Sequence, residues 1–421
     1  MVDSLPIVPF TRPVRGRVML PGSKSLTNRA LVLGALGEAP VTLTHALFSR
    51  DTRLMAGALC ELGFSVDTNE PERTIRIVGR GGEIPQREAH LDVGNAGTVA
   101  RFLTALVCLR AGGVYHFSGD EAMSRRPIAA LLDALATQGV QATAKSFPFT
   151  LRTAGLPGGE VQLDASESSQ LISALLLAGS RARTPLRVRV TGETVSRPFV
   201  EMTERMIAQF SAKPANYAIE PDATAASYFL ALPLVAGGRL TLAGLATEGS
   251  LQGDIAFVTV LRSAGLSATA GDRGEEALVA PGISGRGVAA NFNAFSDTFL
   301  TLAAIAPLLE GPTRITGIAH TRKQETDRVA GAARELRRLG QDVIEEEDAL
   351  TITPRPLVSD VEIETYGDHR FAMSFAILGC HDLHGNGRPW LWIRNPDCCA
   401  KTFPDFFGVL ELLWKDSHLC S

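Results

Sequence analysis

The chain has no Cys-x-x-Cys pair, no apolar run long enough to cross a bilayer and no surplus of positive charge. Its six cysteines, Cys60, Cys108, Cys380, Cys398, Cys399 and Cys420, are scattered over 421 residues. That spread is wrong for a disulfide framework and suits a reducing compartment. The longest apolar stretches, such as Phe299 to Leu309, fall well short of the ~20 residues that a spanning helix requires. Residues 1 to 17 carry prolines and scattered charge without an apolar h-region, so a secretory signal is not expected and the cytoplasm is the expected location. A net charge of −4 supplies no general field for nucleic acid, so any positive potential has to be local. Cys380, His381 and His384 cluster without a second ligand pair, and no metal is expected there. What remains, 45% hydrophobic and 20% charged residues, is a globular composition, and the length predicts two domains.

The most informative stretch is Pro21-Gly22-Ser23-Lys24-Ser25-Leu26-Thr27-Asn28-Arg29, which runs directly into the apolar Ala30 to Leu36. A turn dipeptide delivers the chain to small hydroxyl residues, and Ser23 or Ser25 can cap the helix that follows. Unsatisfied N–H groups and the helix dipole make a modest anion site, to which Lys24 and Arg29 add full charges. The segment reads as a cradle for phosphate or carboxylate, against the plainer reading of a capped helix with solvated basic residues. A nucleotide P-loop is a poor match, because Val18 stands at the first glycine position and Ser23 separates Gly22 from Lys24.

The same architecture recurs. Strand signals, a polar turn, a helical pattern closed by Gly63 and two further apolar stretches near Val66 and Ile75 to Val78 complete a βαβαββ unit. New copies open at Leu91 to Thr98, Asp164 to Gln170, Pro221 to Thr224, Phe295 to Thr298 and Tyr366 to Arg370. Most starts lie about 70 residues apart, repetition on the supersecondary scale. The step from the third copy to the fourth is shorter, which places a crossing between halves near Asn216 to Pro221. The predicted fold is α/β (α+β): two similar domains of three βαβαββ units each, an inverse α/β-barrel-like arrangement with the site in the interdomain cleft. Residues 1–20 plus 221–421 form one domain and 21–220 the inserted other. A solenoid array is the alternative, but solenoids keep one repeat spelling and these turns diverge in chemistry. The polar turns carry Lys24, Arg29, Arg126, Arg328, Arg370 and Lys401 among other cations, interleaved with Asp51, Asp297, Glu325 and Asp327. Many cations in a net-acidic chain imply ligands with several negative charges.

Taken together, Gly22-Ser23-Lys24-Ser25-x-x-Asn28-Arg29, Gly94-Asn95-Ala96-Gly97-Thr98, Arg126-Pro127-Ile128, Ser168-Ser169-Gln170, Glu325-Thr326-Asp327-Arg328, Asp368-His369-Arg370 and Lys401-Thr402-Phe403-Pro404 resemble the 5-enolpyruvylshikimate-3-phosphate synthase family. The match runs in order from about residue 17 to 407. The resemblance implies enolpyruvyl transfer from phosphoenolpyruvate to the 5-hydroxyl of shikimate 3-phosphate, with release of phosphate and no cofactor. It implies Asp297 as base toward the hydroxyl, Glu325 as proton carrier at C3, and Lys24 assisting; each acid alone also reads as a helix cap. The carried-over binders of shikimate 3-phosphate are Lys24, Ser25, Arg29, Ser168, Ser169, Gln170, Ser196, Asp297, His320 and the variant position Gln324. Those of phosphoenolpyruvate are Lys24, Asn95, Gly97, Arg126, Gln170, Arg328, Arg370 and Lys401. Inhibition by glyphosate is also implied, with Gly97 resembling the sensitive form of its turn.

Two positions depart from the family pattern. Gln324 stands where relatives commonly have lysine, and Phe199 stands where tyrosine is common. Losing one charge-assisted contact costs roughly 1.5–3 kcal/mol, so activity is expected to persist with altered affinity for shikimate 3-phosphate. The rival within the fold is the UDP-N-acetylglucosamine enolpyruvyl transferase, which looks for Lys-Asn at the first cradle and a cysteine before Arg126. Here Ser25 follows Lys24, and Gly119 to Arg126 lacks cysteine. A non-catalytic anion-binding homologue is the rival from another class. The expected partners are small molecules only, with no nucleic acid or membrane, and the chain is expected to be monomeric.

Overall fold

Alternating burial sets the strands. In Thr74–Val78 only Ile75 and Ile77 of the five residues are fully buried, a period of two that covers one sheet face. A different rule governs the first helix of the repeats. Every residue from Leu26 to Leu36 is buried in the helix Lys24–Leu36, and so is all of Gly97–Leu106 and His369–Gly379. A helix buried on all sides has to be wrapped, and each buried Leu or Phe contributes about 1.5–3 kcal/mol. The second helices, such as Arg50–Glu61 and Pro198–Ser211, bury one side only.

The computed structural model describes residues 3–166, 168–192, 196–270, 276–281 and 285–419. Parts of the third copy's predicted turns, at 167 and 193–195, and Cys420 lie outside the described residues. The chain divides into two units, Gly22–Glu220 and Met1–Pro21 with Pro221–Ser421. Among the described residues no helix is long and apolar enough to cross a membrane.

In the unit Gly22–Glu220, one sheet runs Asn216–Ala218, Pro40–Thr44, Thr74–Val78, Ser65–Asn69. A second runs Glu88–Asp92, Ala111–Ser118, Phe149–Ala154, Gln141–Ala142, and a third pairs Gly159–Asp164 with Leu186–Thr191. Each sheet holds a parallel pair, joined through a helix in the second and third and brought together from distant segments in the first, and in the first two an antiparallel hairpin follows. The third copy is short of the predicted βαβαββ pattern. Its last strand, Asn216–Ala218, pairs in parallel with Pro40–Thr44 and so completes the first copy.

The other unit repeats the scheme. Val14–Met19 pairs in parallel with Gly238–Ala243, supplying the first strand of the fourth copy from the N-terminal segment. The fifth copy is a sheet of Ala289–Asn291, Thr313–Thr316, Ala349–Thr353 and Asp342–Glu345. The sixth pairs Val361–Ile363 with Leu391–Arg394 and closes with Ser4–Pro6, antiparallel to Leu391–Arg394.

Candidate active site

In the unit Gly22–Glu220 the first cradle depends on a close backbone approach. A Cβ on Gly22 would lie 1.9 Å from the His45 carbonyl oxygen, so no other residue fits there. Ser23 caps the helix, its side chain accepting from the Leu26 N–H. Lys24 on the first turn reaches Asp51 of the next turn, Nζ to Oδ2 3.4 Å, with Asp51 almost fully buried. Asn28 points inward and donates to Thr98 Oγ1 at 2.7 Å, tying the first cradle to the second.

The second cradle gathers four expected residues. Arg126 Nη1 donates to the Asn95 carbonyl at 3.1 Å and to Asn95 Oδ1 at 3.2 Å. A Cβ on Gly97 would stand 2.5 Å from Arg126 Nη2 and 2.9 Å from Gln170 Oε1. Gln170 opens the helix Ser169–Gly179, whose cap Ser168 accepts from the Gln170 N–H at 3.3 Å. Asn95, Gly97, Arg126 and Gln170 are therefore one cluster, with Ser168 and the buried Ser169 at its edge. Ser196 is buried at φ +52°, a left-handed conformation rarely held by residues other than glycine.

Arg29, expected among the binders of shikimate 3-phosphate, is enclosed by neutral partners. It is 1% exposed, and its donors go to Thr203 Oγ1 (2.7 Å), the Ser25 carbonyl (3.0 Å), Ser173 Oγ and the Phe199 carbonyl (both 3.2 Å). Phe102 and Phe199 present their rings 5.1 and 5.9 Å from its guanidinium carbon. Every one of these partners is neutral, and burial pulls its pKa down to about 9. The residue acts on its surroundings as a buried charge, and Phe199 is part of the wall around it.

In the unit containing Pro221–Ser421 the expected acids and cations are locked together. Arg328 lies at the centre, 1% exposed. Its Nε meets Asp368 Oδ2 at 2.7 Å, Nη2 meets Glu325 Oε2 at 2.8 Å, and Nη1 meets Asp297 Oδ1 at 3.0 Å. Nη1 also donates to Gln324 Oε1. Arg370 Nη2 holds the other oxygen of Asp297 at 2.7 Å, and Lys401 Nζ holds the other oxygen of Glu325 at 2.9 Å. Burial alone would lower both guanidinium pKa values. The Asp368 and Glu325 charges outweigh it for Arg328, and Asp297 leads the groups that do so for Arg370, so both are raised. His320 Nε2 lies 2.8 Å from Ser296 Oγ, and burial, partly opposed by Asp297 and Asp348, lowers its pKa.

Asp327 caps the helix Arg328–Arg338 and Asp368 caps His369–Gly379, whereas Asp297 and Glu325 spend their oxygens on Arg328, Arg370 and Lys401. Three groups close to these sites were not singled out as site residues in the sequence. Asp51 faces Lys24, Asp368 anchors Arg328, and the buried Asp254 accepts from Thr224 Oγ1 at 2.8 Å. Asp254 is pushed up to about 7, first by burial and then by the Asp297 charge. Their signal, an acid on or just before a helix start, is shared with many ordinary caps.

The family model for EPSP synthase (3-phosphoshikimate 1-carboxyvinyltransferase) matches residues 9–410. This chain belongs to the EPSP synthase family. It is 54% identical to a 3-phosphoshikimate 1-carboxyvinyltransferase of Opitutus terrae, over 99% of this chain and 98% of that one. It is 39% identical to one from Nostoc punctiforme, over 96% and 98%. Among solved structures, EPSP synthase from Acinetobacter baumannii superposes with a TM-score of 0.79 at 24% identity, covering 97% of this chain and 98% of that one. The enolpyruvyl transferase NikO from Streptomyces tendae superposes at 0.72 with 17% identity, covering 98% and 97%. These two likenesses establish the shared fold. The UDP-N-acetylglucosamine alternative is not favoured by the family match.

Proposed function

We propose that this chain transfers the 1-carboxyvinyl group of phosphoenolpyruvate to the 5-hydroxyl of shikimate 3-phosphate and releases phosphate, a step of the shikimate pathway. The observation that carries the reading is the array Asp297–Arg328–Glu325–Lys401, in which two carboxylates with opposite proton tasks share one buried guanidinium. Asp297 takes the hydroxyl proton as the oxygen bonds to C2, while Glu325 gives a proton to C3. In the second half Glu325 takes a proton back from C3 as the C2–O bond to phosphate breaks, and the departing phosphate oxygen takes up the proton held by Asp297. A group that gives and then accepts a proton has to be held in position, and the ion pairs on both acids hold them. Lys401 Nζ, 2.9 Å from Glu325 Oε1, holds that carboxylate in place.

Anion binding is assigned to Lys24, Asn95, Gly97, Arg126, Gln170, Arg328, Arg370 and Lys401 for phosphoenolpyruvate. Lys24, Ser25, Ser168, Ser169, Gln170, Ser196, Asp297, His320 and Gln324 take shikimate 3-phosphate, with Arg29 acting through its buried charge. Arriving substrate anions compete with Asp297 and Glu325 for Arg328, Arg370 and Lys401, which frees the two acids for chemistry. The same reading includes a cytoplasmic setting, supported by five cysteines free of disulfides among the described residues. It also includes a monomeric chain, which sedimentation equilibrium reads directly.

A coupled phosphate-release assay tests the proposal. Wild-type chain with both substrates is expected to release phosphate, and Glu325→Gln to lower kcat by about 10²–10⁴-fold with little change in KM. Absence of release from wild-type chain in the presence of both substrates overturns the reading.

A further inference from the structure

The sheet of Glu88–Asp92 and Ala111–Ser118 has a feature that enolpyruvyl transfer does not use. His90 and His116 stand directly opposite on adjacent parallel strands, their rings stacked with centroids 4.4 Å apart and 16° between planes. Glu88 lies one turn of the pleat away on the same face, its Oε1 3.7 Å from His116 Nε2. All three donor atoms fall within 4.8 Å of one another.

His116 Nδ1 is 2.9 Å from Thr150 Oγ1 on the neighbouring strand. When Nδ1–H donates to that hydroxyl, the lone pair sits on Nε2 and faces the Glu88 carboxylate. In that tautomer a cation can bridge the two groups. Tetrahedral zinc, with bonds of about 2.0–2.2 Å, holds its ligand atoms roughly 3.3 Å apart. The Glu88–His116 pair is close to that spacing, and ligation by His90, which is exposed, requires its ring to turn out of the stack with His116.

We propose that this outer sheet face is a divalent-metal site of the zinc class, with Glu88, His90 and His116 as ligands. Thr150 orients His116 from behind, as outer partners of metal-bound imidazoles do. The fourth position is left to water, and the ion pins two neighbouring strands together. Neither substrate is assigned any of these residues, so the site is independent of the transfer reaction.

The test is a titration of the full chain with Zn²⁺ alone, read by calorimetry and by thermal melts. Wild-type chain is expected to take up one ion at this face with micromolar affinity and to melt at higher temperature in its presence. The double variant His90→Ala/His116→Ala is expected to bind ~10-fold or more weakly and to lose the melting shift. Thr150→Val is expected to weaken binding about 10-fold or more, with phosphate release in metal-free buffer unchanged. If the double variant does not fold, the exposed Glu88→Gln replaces it. Equal zinc affinity in wild-type chain and these variants overturns the proposal, as does failure of wild-type chain to bind zinc.

Discussion

A single added methyl at Gly97 would meet Arg126 Nη2 at 2.5 Å and Gln170 Oε1 at 2.9 Å. Both neighbours are side-chain ends and can yield, but they yield into the site proposed for phosphoenolpyruvate. Gly97→Ala is therefore expected to fold normally and to raise KM for phosphoenolpyruvate about tenfold or more, equivalent to ~1.4 kcal/mol; steady-state kinetics read it. Asp254 gives a second residue-scale prediction. Its folded pKa of about 7 lies above its ordinary 3.8, so the folded state holds a proton that the unfolded chain releases. The stabilisation is complete below the lower value and is lost as the pH climbs to the upper one, by on the order of 4 kcal/mol at ~1.4 kcal/mol per unit. Asp254→Asn is expected to flatten that fall, read from urea midpoints at pH values on either side of the window; a slope equal to wild type would contradict it. Gly97 was legible in its motif. Asp254 was not, because nothing in Gly253-Asp254-Ile255 says that the carboxyl is buried beside Thr224 and within range of Asp297.

At the scale of elements, helix starts were the most legible feature of the chain. Ser23, Ser168, Asp222 and Asp368 all accept from the first turn of a helix, each at a polar turn that the spacing had marked. The double duty of a cap was not legible. Asp368 accepts from the Arg370 N–H at 2.9 Å while pairing with Arg328 at 2.7 Å, entirely out of solvent. Removing it strands a buried guanidinium as well as a helix end. Asp368→Ala is expected to destabilise the chain by about 3–5 kcal/mol. Asp368→Asn, which keeps the cap acceptor and loses the charge, should fall between Ala and wild type. Denaturant midpoints separate the two contributions, and equal loss in both variants would show that the cap contributes nothing. The shortened third and sixth copies were also hidden. Asn216–Ala218 and Ser4–Pro6 are three-residue strands, too brief for a period of two to stand out.

At the scale of the molecule, the chain leaves its first unit after Pro21 and returns at Pro221. Val14–Met19 is thereby separated by more than 200 positions from its partner Gly238–Ala243, and Ser4–Pro6 by more than 380 from Leu391–Arg394. The proposed binders come from both units: Lys24, Arg126 and Gln170 from one, Arg328, Arg370 and Lys401 from the other. Shikimate 3-phosphate with phosphoenolpyruvate is therefore expected to stabilise each unit whose residues bind them, by about 2.7 kcal/mol at a hundredfold excess over Kd. Calorimetry or hydrogen exchange resolved along the chain reads it. Protection confined to residues of one unit would mean that the binders of the other take no part.

What the sequence by itself determined are the features carried by neighbouring residues: the repeat, the polar helix starts, and the ordered motifs that identify the family. Local chemistry suffices there, since a cap or a strand alternation is written within a few positions. Only the tertiary structure decided which acid answers which cation. It turned Arg29 inward among neutral oxygens, gave Arg328 three carboxylates, and set His90 against His116. Those outcomes depend on burial and on distances between segments far apart in the chain, and composition and spacing do not encode either.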